Sequence, residues 1–147
     1  MYLGAVDNTR ERTANRQVEG SMQCHTLPVA RRSDDIEETR STVLRLLELL
    51  SDREAQVQYE VDVPIANVPA ELICMWFDDQ YYPGRAPFTD AFSPDERAHL
   101  ASFDATFAGV QESLPTNGGV AALHAAPGWS EVCDAAGAAL EHLQRER

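Results

Sequence analysis

An α-rich α+β domain is the fold class predicted by this sequence of 147 residues. Three segments, at about 34–51, 93–114 and 129–144, carry apolar residues with the period of amphipathic helices. A fourth segment, at about 56–65, alternates apolar and polar residues as a half-buried strand does. We therefore expect three to four helices packed in one core together with one clear β-strand, which needs a partner in a small sheet.

Residues 1–33 show neither period and are rich in Arg, Asn, Thr and Gln. We expect a flexible N-terminal arm there and a single globular domain over residues 34–147. Met22 is an alternative start of the chain, which would make residues 1–21 an upstream extension. The N-terminus has no apolar stretch behind a basic start, and no apolar run reaches the roughly 18 residues of a membrane span, so a cytoplasmic protein is expected.

The first helix is expected from about Asp34 to Ser51. Asp34 and Glu37 have the spacing of a capping box, and acidic residues crowd the positive end of the helix dipole. The apolar face is formed by side chains that recur at helical spacing, namely Ile36, Val43, Leu47 and Leu50.

The next segment, QVQYEVDVPI, is the clearest strand signal in the chain. One of its faces is apolar, and the other carries Gln58, Glu60 and Asp62. Because a lone strand leaves its backbone hydrogen-bonding groups unpaired, it needs a partner. Weak candidates are Met22–Val29 and Gly119–Leu123, and a second copy of the chain is the alternative partner, in a homodimer.

The run Pro69–Phe77 is apolar on every side and is expected to be deeply buried. A helix is favoured over a strand here, because a proline followed by a glutamate in the first turn is typical of a helix start. The segment Asp78–Phe92 is expected to be a loop, since prolines and a Pro83-Gly84 turn break it.

The helix with the strongest signals in the sequence is expected to begin after Ser93. Pro94 takes the first helical position, and Glu96 completes a capping box with Ser93. A glycine-rich turn at 117–119 separates this helix from the last one, at about 129–144. The Ala-rich centre of that last helix permits close approach of a neighbouring helix.

Charge is unevenly distributed along the chain. Residues 34–147 carry 21 acidic residues and 7 arginines, a net charge of −14, whereas the first 33 residues are net basic. An acidic surface repels phosphates, which disfavours binding to nucleic acid or to anionic membranes. The same charge favours a basic protein partner, and it also favours solubility.

No thiol or imidazole stands in an established catalytic or metal-binding spacing. Cys24, Cys74 and Cys133 are far apart, and the last two lie in apolar patterns, so inert core thiols are expected. His99 follows Asp95 by four residues, which indicates a surface ion pair. No cofactor and no bound metal are predicted.

The most unusual stretch, WFDDQYYPGRAPFTDAF, runs from Trp76 to Phe92 and holds six of the eleven aromatic residues, interleaved with carboxylates. Trp76 and Phe77 complete the buried run and are expected to belong to the core. Exposed tyrosines beside carboxylates suit a partner surface. The candidate binding residues are Asp78, Asp79, Tyr81, Tyr82, Arg85 and Phe88 in the loop, with Glu60 and Asp62 on the polar face of the strand.

Three functional hypotheses follow from these features. The favoured one is a small bacterial, non-enzymatic binding protein for a basic protein partner, resembling immunity proteins and antitoxins as a class, because acids steer a basic partner and aromatics anchor it. The alternative is a small enzyme or a metal- or ligand-binding domain, in which the Asp78–Phe88 loop covers a pocket and Asp78 or Asp79 acts as base or ligand. The third is a homodimer through the strand at about 56–65.

Overall fold

The computed structural model describes residues 29–145, and within them the chain forms seven α-helices and no strand. The helices are α1 (Val29–Ser51), α2 (Arg53–Asp62), α3 (Val68–Cys74), α4 (Phe88–Ala91), α5 (Pro94–Val110), α6 (Gly119–Ala125) and α7 (Trp129–Arg145). A π-helical turn, Met75–Gln80, continues α3, and a 3₁₀ turn, Gln111–Ser113, follows α5. The predicted α+β class is therefore wrong, since the part of the chain that the structure describes contains helices only.

Only residues 29–33 of the predicted N-terminal arm are described, and they belong to α1, which begins earlier than predicted. The rest of that prediction, like most of the weak strand candidate Met22–Val29, lies outside the described residues. A compact unit begins at residue 35 and contains the hydrophobic core. Between residues 29 and 145, no helix is long and apolar enough to cross a membrane.

The segment predicted as a strand is helix α2. Asp52 caps this helix, because its carboxylate accepts hydrogen bonds from the backbone N–H groups of Glu54 at 2.9 Å and Ala55 at 3.2 Å. Gln56 is fully buried, and Tyr59, one turn later, packs against the core. A three-residue step between inward side chains is the period of a helix and not of a strand.

The alternating valines that predicted the strand are exposed in α2. Val57 is 50% exposed and Val61 is 66% exposed, because residues four apart share one helix face and the inward face belongs to other side chains. Gly119–Leu123, the other proposed partner strand, lies in α6. A homodimer formed by strand pairing therefore has no basis in the described residues.

We expect Val61→Ala to change the free energy of unfolding by less than about 0.5 kcal/mol, because an exposed valine loses little burial and alanine has the better helix propensity. As a control, Val43→Ala in α1 removes a fully buried side chain and should cost about 2 kcal/mol or more. Urea denaturation of both variants provides the comparison. A loss at Val61 as large as that at Val43 would contradict the helical assignment.

The helices predicted to begin near Pro69, Ser93 and Trp129 are confirmed, whereas the capping box predicted at Asp34 and Glu37 is wrong, because both residues lie inside α1. At the start of α5, Ser93 Oγ accepts from the Glu96 N–H at 3.1 Å, and Glu96 Oε2 accepts from the Ser93 N–H at 2.8 Å, which completes the capping box. The apolar run after Pro69 is helical, with Asn67 as its N-cap. The loop predicted at 78–92 is wrong in two places, since residues 78–80 belong to the π-helical turn and Phe88–Ala91 form the short helix α4.

The core joins helices from both halves of the described chain. α5 and α7 pack against each other more extensively than any other pair of described helices, and the buried Ala136 and Ala139 on α7 permit this close approach. Trp129 at the start of α7 meets Phe107 on α5 with 5.9 Å between ring centroids. The pairing of these two helices fixes where the first turn of α5 and the last turn of α7 lie.

Three polar side chains are also buried within the described residues: Arg40, Gln56 and Glu96. Arg40 of α1 and Glu96 of α5 form an ion pair. Gln56 of α2 lies among backbone and side-chain partners from α1, α6 and α7. Such groups restrict which helices pack together, because any other arrangement would leave them without partners.

Candidate functional site

The loop that carries most of the predicted binding residues is anchored by the π-helical turn Met75–Gln80. Trp76 in this turn is fully buried, and its Nε1 donates to Asp104 Oδ1 at 2.9 Å. Its indole stacks on the Tyr81 ring, with 4.8 Å between centroids. The backbone N–H of Tyr81 donates to the Trp76 carbonyl at 3.0 Å and closes the turn. Trp76 thus belongs to the core, as its apolar run predicts.

Two of the predicted binding residues, Tyr81 and Phe88, pack against the core. Phe88 is 2% exposed, and the two rings meet edge to face with 5.5 Å between their centroids. Burial, together with the nearby charge of Asp104, raises the pKa of Tyr81, so its phenol is protonated at neutral pH. These two rings hold the loop against the helices. The outer surface of the loop is formed by other residues of the loop.

Four other predicted residues of the loop are exposed: Asp78, Asp79, Tyr82 and Arg85. The Tyr82 hydroxyl donates to the backbone carbonyl of Asp78. The Arg85 guanidinium lies over the Tyr82 ring, 5.5 Å from its centroid. Among the described residues, neither Asp78 nor Asp79 forms an ion pair. The loop therefore presents two exposed carboxylates that form no ion pair with a described residue, although Arg85 lies on the same wall as Asp79.

An open groove runs between α1 and this loop. Two of its depressions, of 420 Å³ and 240 Å³, share Thr39, Gln80 and Pro87 as lining residues. A third depression of 190 Å³ shares Thr42 and Gln80 with the larger one and extends the groove along α1. We call this continuous surface the α1 groove. Its lining residues are Asp35, Glu38, Thr39, Thr42, Arg45, Leu46 and Leu49 on α1, and Met75, Asp79, Gln80, Tyr82, Arg85, Ala86, Pro87 and Phe88 on the opposite wall.

The α1 groove is acidic at one end and apolar at the other. Asp35 and Glu38 on α1 and Asp79 on the loop are exposed, and none of the three takes part in an ion pair with a described residue. Surface carboxylates left without a cation create a negative potential that attracts positively charged ligands. The other end is lined by the apolar residues Leu46, Leu49 and Met75, with the exposed Arg45 beside them.

Glu60 and Asp62, the predicted binding residues of the supposed strand, lie on α2 and do not line the α1 groove. Glu60 Oε2 accepts from the backbone N–H of Val120 at 2.7 Å, at the start of α6. A Cβ at Gly119, whose φ is +70°, would lie 2.9 Å from that oxygen, so this close approach requires glycine. Asp62 accepts from Gln58 Nε2 at 2.8 Å on the surface of α2.

Cys74 differs from the inert core thiol that its apolar surroundings predict, because it is exposed, whereas Cys133 is buried. Desolvation, followed by the hydrogen bond and charge of Asp78 and by the charges of Asp79 and Glu71, raises the pKa of the Cys74 thiol. A thiol with a raised pKa is a poor nucleophile at neutral pH. Cys74 therefore lends no support to the enzyme hypothesis.

The α1 wall of the groove was not among the predicted site residues. Its signal in the sequence is a polar stripe, since Asp35, Glu38, Thr39 and Thr42 recur at positions i, i+3, i+4 and i+7 and share one helix face. Such a stripe is usually a solvated surface. Only the placement of the loop along this face turns the stripe into one wall of a groove.

Comparisons with known proteins complete the description of the site. No match was found to the chain among models of protein families, among curated proteins or among solved structures. The features from which a function is inferred are therefore the shape and the charge of the α1 groove.

Proposed function

We propose that this protein is a non-enzymatic binding protein that holds a basic segment of a partner protein in the α1 groove. The observation that carries the proposal is the set of three exposed carboxylates, Asp35, Glu38 and Asp79, on the two walls of the groove without ion pairs among the described residues. Arginine or lysine side chains of a partner would neutralise them. The net charge of −12 would steer such a partner toward the surface.

The apolar end of the groove supplies affinity that the carboxylates alone do not. Exposed ion pairs contribute only about 0.2–1 kcal/mol each. Burial of apolar surface contributes roughly 25 cal/mol per Å², and the half-buried Leu49 and Met75 offer such surface, whereas Leu46 is almost fully buried. A partner segment with basic residues followed by a leucine or an aromatic residue would match both ends of the groove.

Arg85 narrows the choice of partner. Its guanidinium is held on the Tyr82 ring at the loop wall, where it places a positive charge beside the carboxylates. A uniformly basic segment would be repelled at this point, so selectivity comes from an unfavourable contact as well as from favourable ones. The favoured segment is basic where it faces the carboxylates and neutral or acidic where it faces Arg85.

A bacterial immunity protein or antitoxin, which neutralises a basic toxin by covering part of its surface, is the concrete class that this chemistry favours. The acidic net charge and the exposed carboxylates of the groove support it. A toxin gene next to the gene of this protein would be an independent sign of that role.

The binding of a synthetic peptide tests the proposal. The probe is a fluorescein-labelled helical peptide with two arginines one turn apart and two leucines further along, and fluorescence anisotropy measures its affinity at low and high salt. We expect binding that weakens as salt rises. In Asp35→Asn/Glu38→Gln/Asp79→Asn the affinity should fall by about tenfold, since three exposed ion pairs of roughly 0.5 kcal/mol each are lost.

The matched control is Glu112→Gln/Glu131→Gln/Asp134→Asn, which removes the same charge from exposed residues that do not line the groove. This variant should stay within about twofold of the wild type, because distant surface charges are largely screened. Equal losses in the two triple variants would mean that net charge and not the groove attracts the peptide. No binding by the wild type at low salt would also count against the proposal.

A further inference from the structure

The first turn of α5 and the last turn of α7 bring three potential metal ligands together. Asp95 and His99 lie four residues apart on α5, so they share one helix face. His142 belongs to the last turn of α7 and is 47 residues from Asp95 in the sequence. Because α5 and α7 pack extensively against each other, the backbone holds these side chains in one place.

The three side chains converge closely. His142 Nε2 lies 2.9 Å from Asp95 Oδ2, and the His99 and His142 rings are stacked with 3.4 Å between centroids and 24° between planes. One ligand atom from each of the three residues lies within 4.8 Å of the other two. The lone pairs of the ring nitrogens lie in the ring planes and are nearly parallel in this stack, so binding of one ion by both imidazoles requires a ring to rotate out of the stack.

These separations suit a metal ion of the size of Zn²⁺. Zinc bonds to histidine nitrogen and carboxylate oxygen are about 2.0–2.2 Å long, which places the ligand atoms of a tetrahedral site roughly 3.4 Å apart. The three atoms already lie within 4.8 Å of one another, and rotation of the exposed His99 side chain out of the stack would orient its nitrogen toward the same ion. Two imidazoles and one carboxylate favour first-row transition metals, whereas Mg²⁺ and Ca²⁺ prefer oxygen ligands alone.

We propose that Asp95, His99 and His142 form a binding site for a divalent first-row transition metal ion, with Zn²⁺ as its representative. Three protein ligands leave a further coordination position for water or for a group from another molecule. The site is independent of the α1 groove, since none of its three residues lines that groove.

A hydrogen bond between Asp95 and His142 does not by itself account for the cluster. It leaves out His99, whose ring nitrogens have no hydrogen-bond partner among the described residues although the ring is stacked on His142. A third ligand in this position is what a metal ion requires. The sequence spacing of Asp95 and His99 predicts a surface ion pair, but Asp95 pairs with His142 instead, and His99 stacks on the His142 ring.

A bound metal would link two turns that the Asp95–His142 hydrogen bond and a neighbouring arginine already join. Arg40 bridges them, because it donates to Glu96, the residue after Asp95, and to the carbonyl of Leu143, the residue after His142, at 3.4 Å. A metal ion would replace the Asp95–His142 hydrogen bond by a stronger connection between the start of α5 and the end of α7. Ligands that bind only the folded state raise its stability, so Tm should increase with metal concentration.

Isothermal titration calorimetry of the metal-free full chain with ZnCl₂ tests the site. We expect one ion per chain, a higher Tm in the presence of Zn²⁺, weaker binding in acid because the imidazoles must be neutral to bind, and no binding of Mg²⁺. His99→Gln and Asp95→Asn should each lower the association constant by about tenfold or more. Both residues are exposed, so circular dichroism should show unchanged helical content.

The control Cys24→Ser/His25→Ala/Cys74→Ser removes other ligand atoms of the chain and should bind Zn²⁺ like the wild type. Titration with Co²⁺ provides a second measurement, since its visible absorption reports the ligand geometry and should be lost in His99→Gln. Wild-type protein that binds no Zn²⁺ would overturn the proposal. So would a His99→Gln or Asp95→Asn variant that binds as tightly as the wild type.

Discussion

Replacing Glu96 with alanine is expected to lower the free energy of unfolding by about 3–5 kcal/mol, because it leaves the buried Arg40 without its carboxylate partner. Glu96 is 4% exposed, and its carboxylate accepts from Arg40 Nη1 at 2.9 Å and from Nη2 at 2.7 Å. The guanidinium also donates to the Ala91 carbonyl at 3.0 Å and lies over the Phe92 ring. Without the carboxylate, a positive charge stays buried with incomplete compensation.

Urea denaturation measures this loss, and an exposed pair provides the control. Arg145 and Glu141 form an i, i+4 ion pair on the surface of α7, with side chains 71% and 64% exposed. Glu141→Ala should change stability by less than about 0.5 kcal/mol. A double variant, Arg40→Met/Glu96→Leu, should recover part of the loss, because apolar residues of similar size need no partner. Equal effects of Glu96→Ala and Glu141→Ala would contradict the importance of burial.

The same pair makes stability depend on pH in acid. Burial raises the pKa of Glu96, but the hydrogen bonds from the Arg40 side chain and the Ser93 backbone outweigh it, so the pKa in the folded state is lowered. The carboxylate therefore contributes its stabilisation above its unfolded pKa, which is about 4.3, and loses it as pH falls through the lower folded pKa. Glu96→Gln should have a flatter stability curve over that acidic range than the wild type.

Gln56→Leu is expected to cost about 3 kcal/mol or more, although leucine has a similar size. Gln56 is fully buried, and its Nε2 donates to the carbonyls of Leu49 at 2.9 Å and Leu50 at 3.0 Å. Its Oε1 accepts from Trp129 Nε1 at 3.1 Å and lies 2.8 Å from His124 Nε2. Leucine would leave several of these groups unsatisfied, at roughly 1–3 kcal/mol for each buried one.

The network also assigns the protonation of His124. An amide oxygen only accepts, so His124 Nε2 must carry the hydrogen that it donates to Gln56. Burial and the charge of Arg53 lower the pKa of His124, and the charge of Glu60 acts in the opposite direction. The lowered pKa favours the neutral ring at neutral pH. The side-chain oxygen of Gln56 therefore accepts two hydrogen bonds, one from a neutral imidazole and one from an indole N–H.

Gln58→Leu is the matched control, because Gln58 is the same residue type on the same helix but is exposed. It should change the free energy of unfolding by less than about 0.5 kcal/mol. Trp129→Phe removes the indole N–H that Gln56→Leu leaves without an acceptor. The double variant should therefore lose less free energy of unfolding than the sum of the two single losses. A Gln56→Leu variant as stable as wild type would refute the role of the network.

The helices that the sequence predicts correctly are those whose signals are local. The Ser93–Glu96 capping box and the start at Pro69 involve residues within three or four positions of one another. Their hydrogen bonds join residues that are close in the sequence, so the residue types that form them can be recognised locally. For that reason a pattern of residue types was sufficient to place α3, α5 and α7.

The segment at 56–65 shows where a local pattern misleads. Its valines alternate as in a strand, and the helical face is hidden because one of its inward positions is a glutamine. Burial of Gln56 is favourable only because Trp129, 73 residues away, and His124 satisfy its oxygen. Asp52 then caps the helix that this packing requires. No count of apolar residues could have revealed these partners.

The residues of the candidate sites also divide into those that the sequence indicated and those that only the packing of the helices brought together. Composition alone singled out the loop at 78–88, and Asp79, Tyr82 and Arg85 of that loop line the groove. The opposite wall on α1 could not be predicted, because its polar stripe looks like any solvated helix face. His142 likewise joins Asp95 only through the packing of α7 on α5.

By itself the sequence determined the acidic charge of the chain, the helices with self-contained caps and the aromatic-acidic loop, because these are properties of neighbouring residues. The tertiary structure alone decided that 56–65 is a helix, which wall completes the α1 groove and which side chains meet at the start of α5. Those features depend on pairs such as Arg40 with Glu96, 56 residues apart. The free energy of such pairs exists only once the helices have packed.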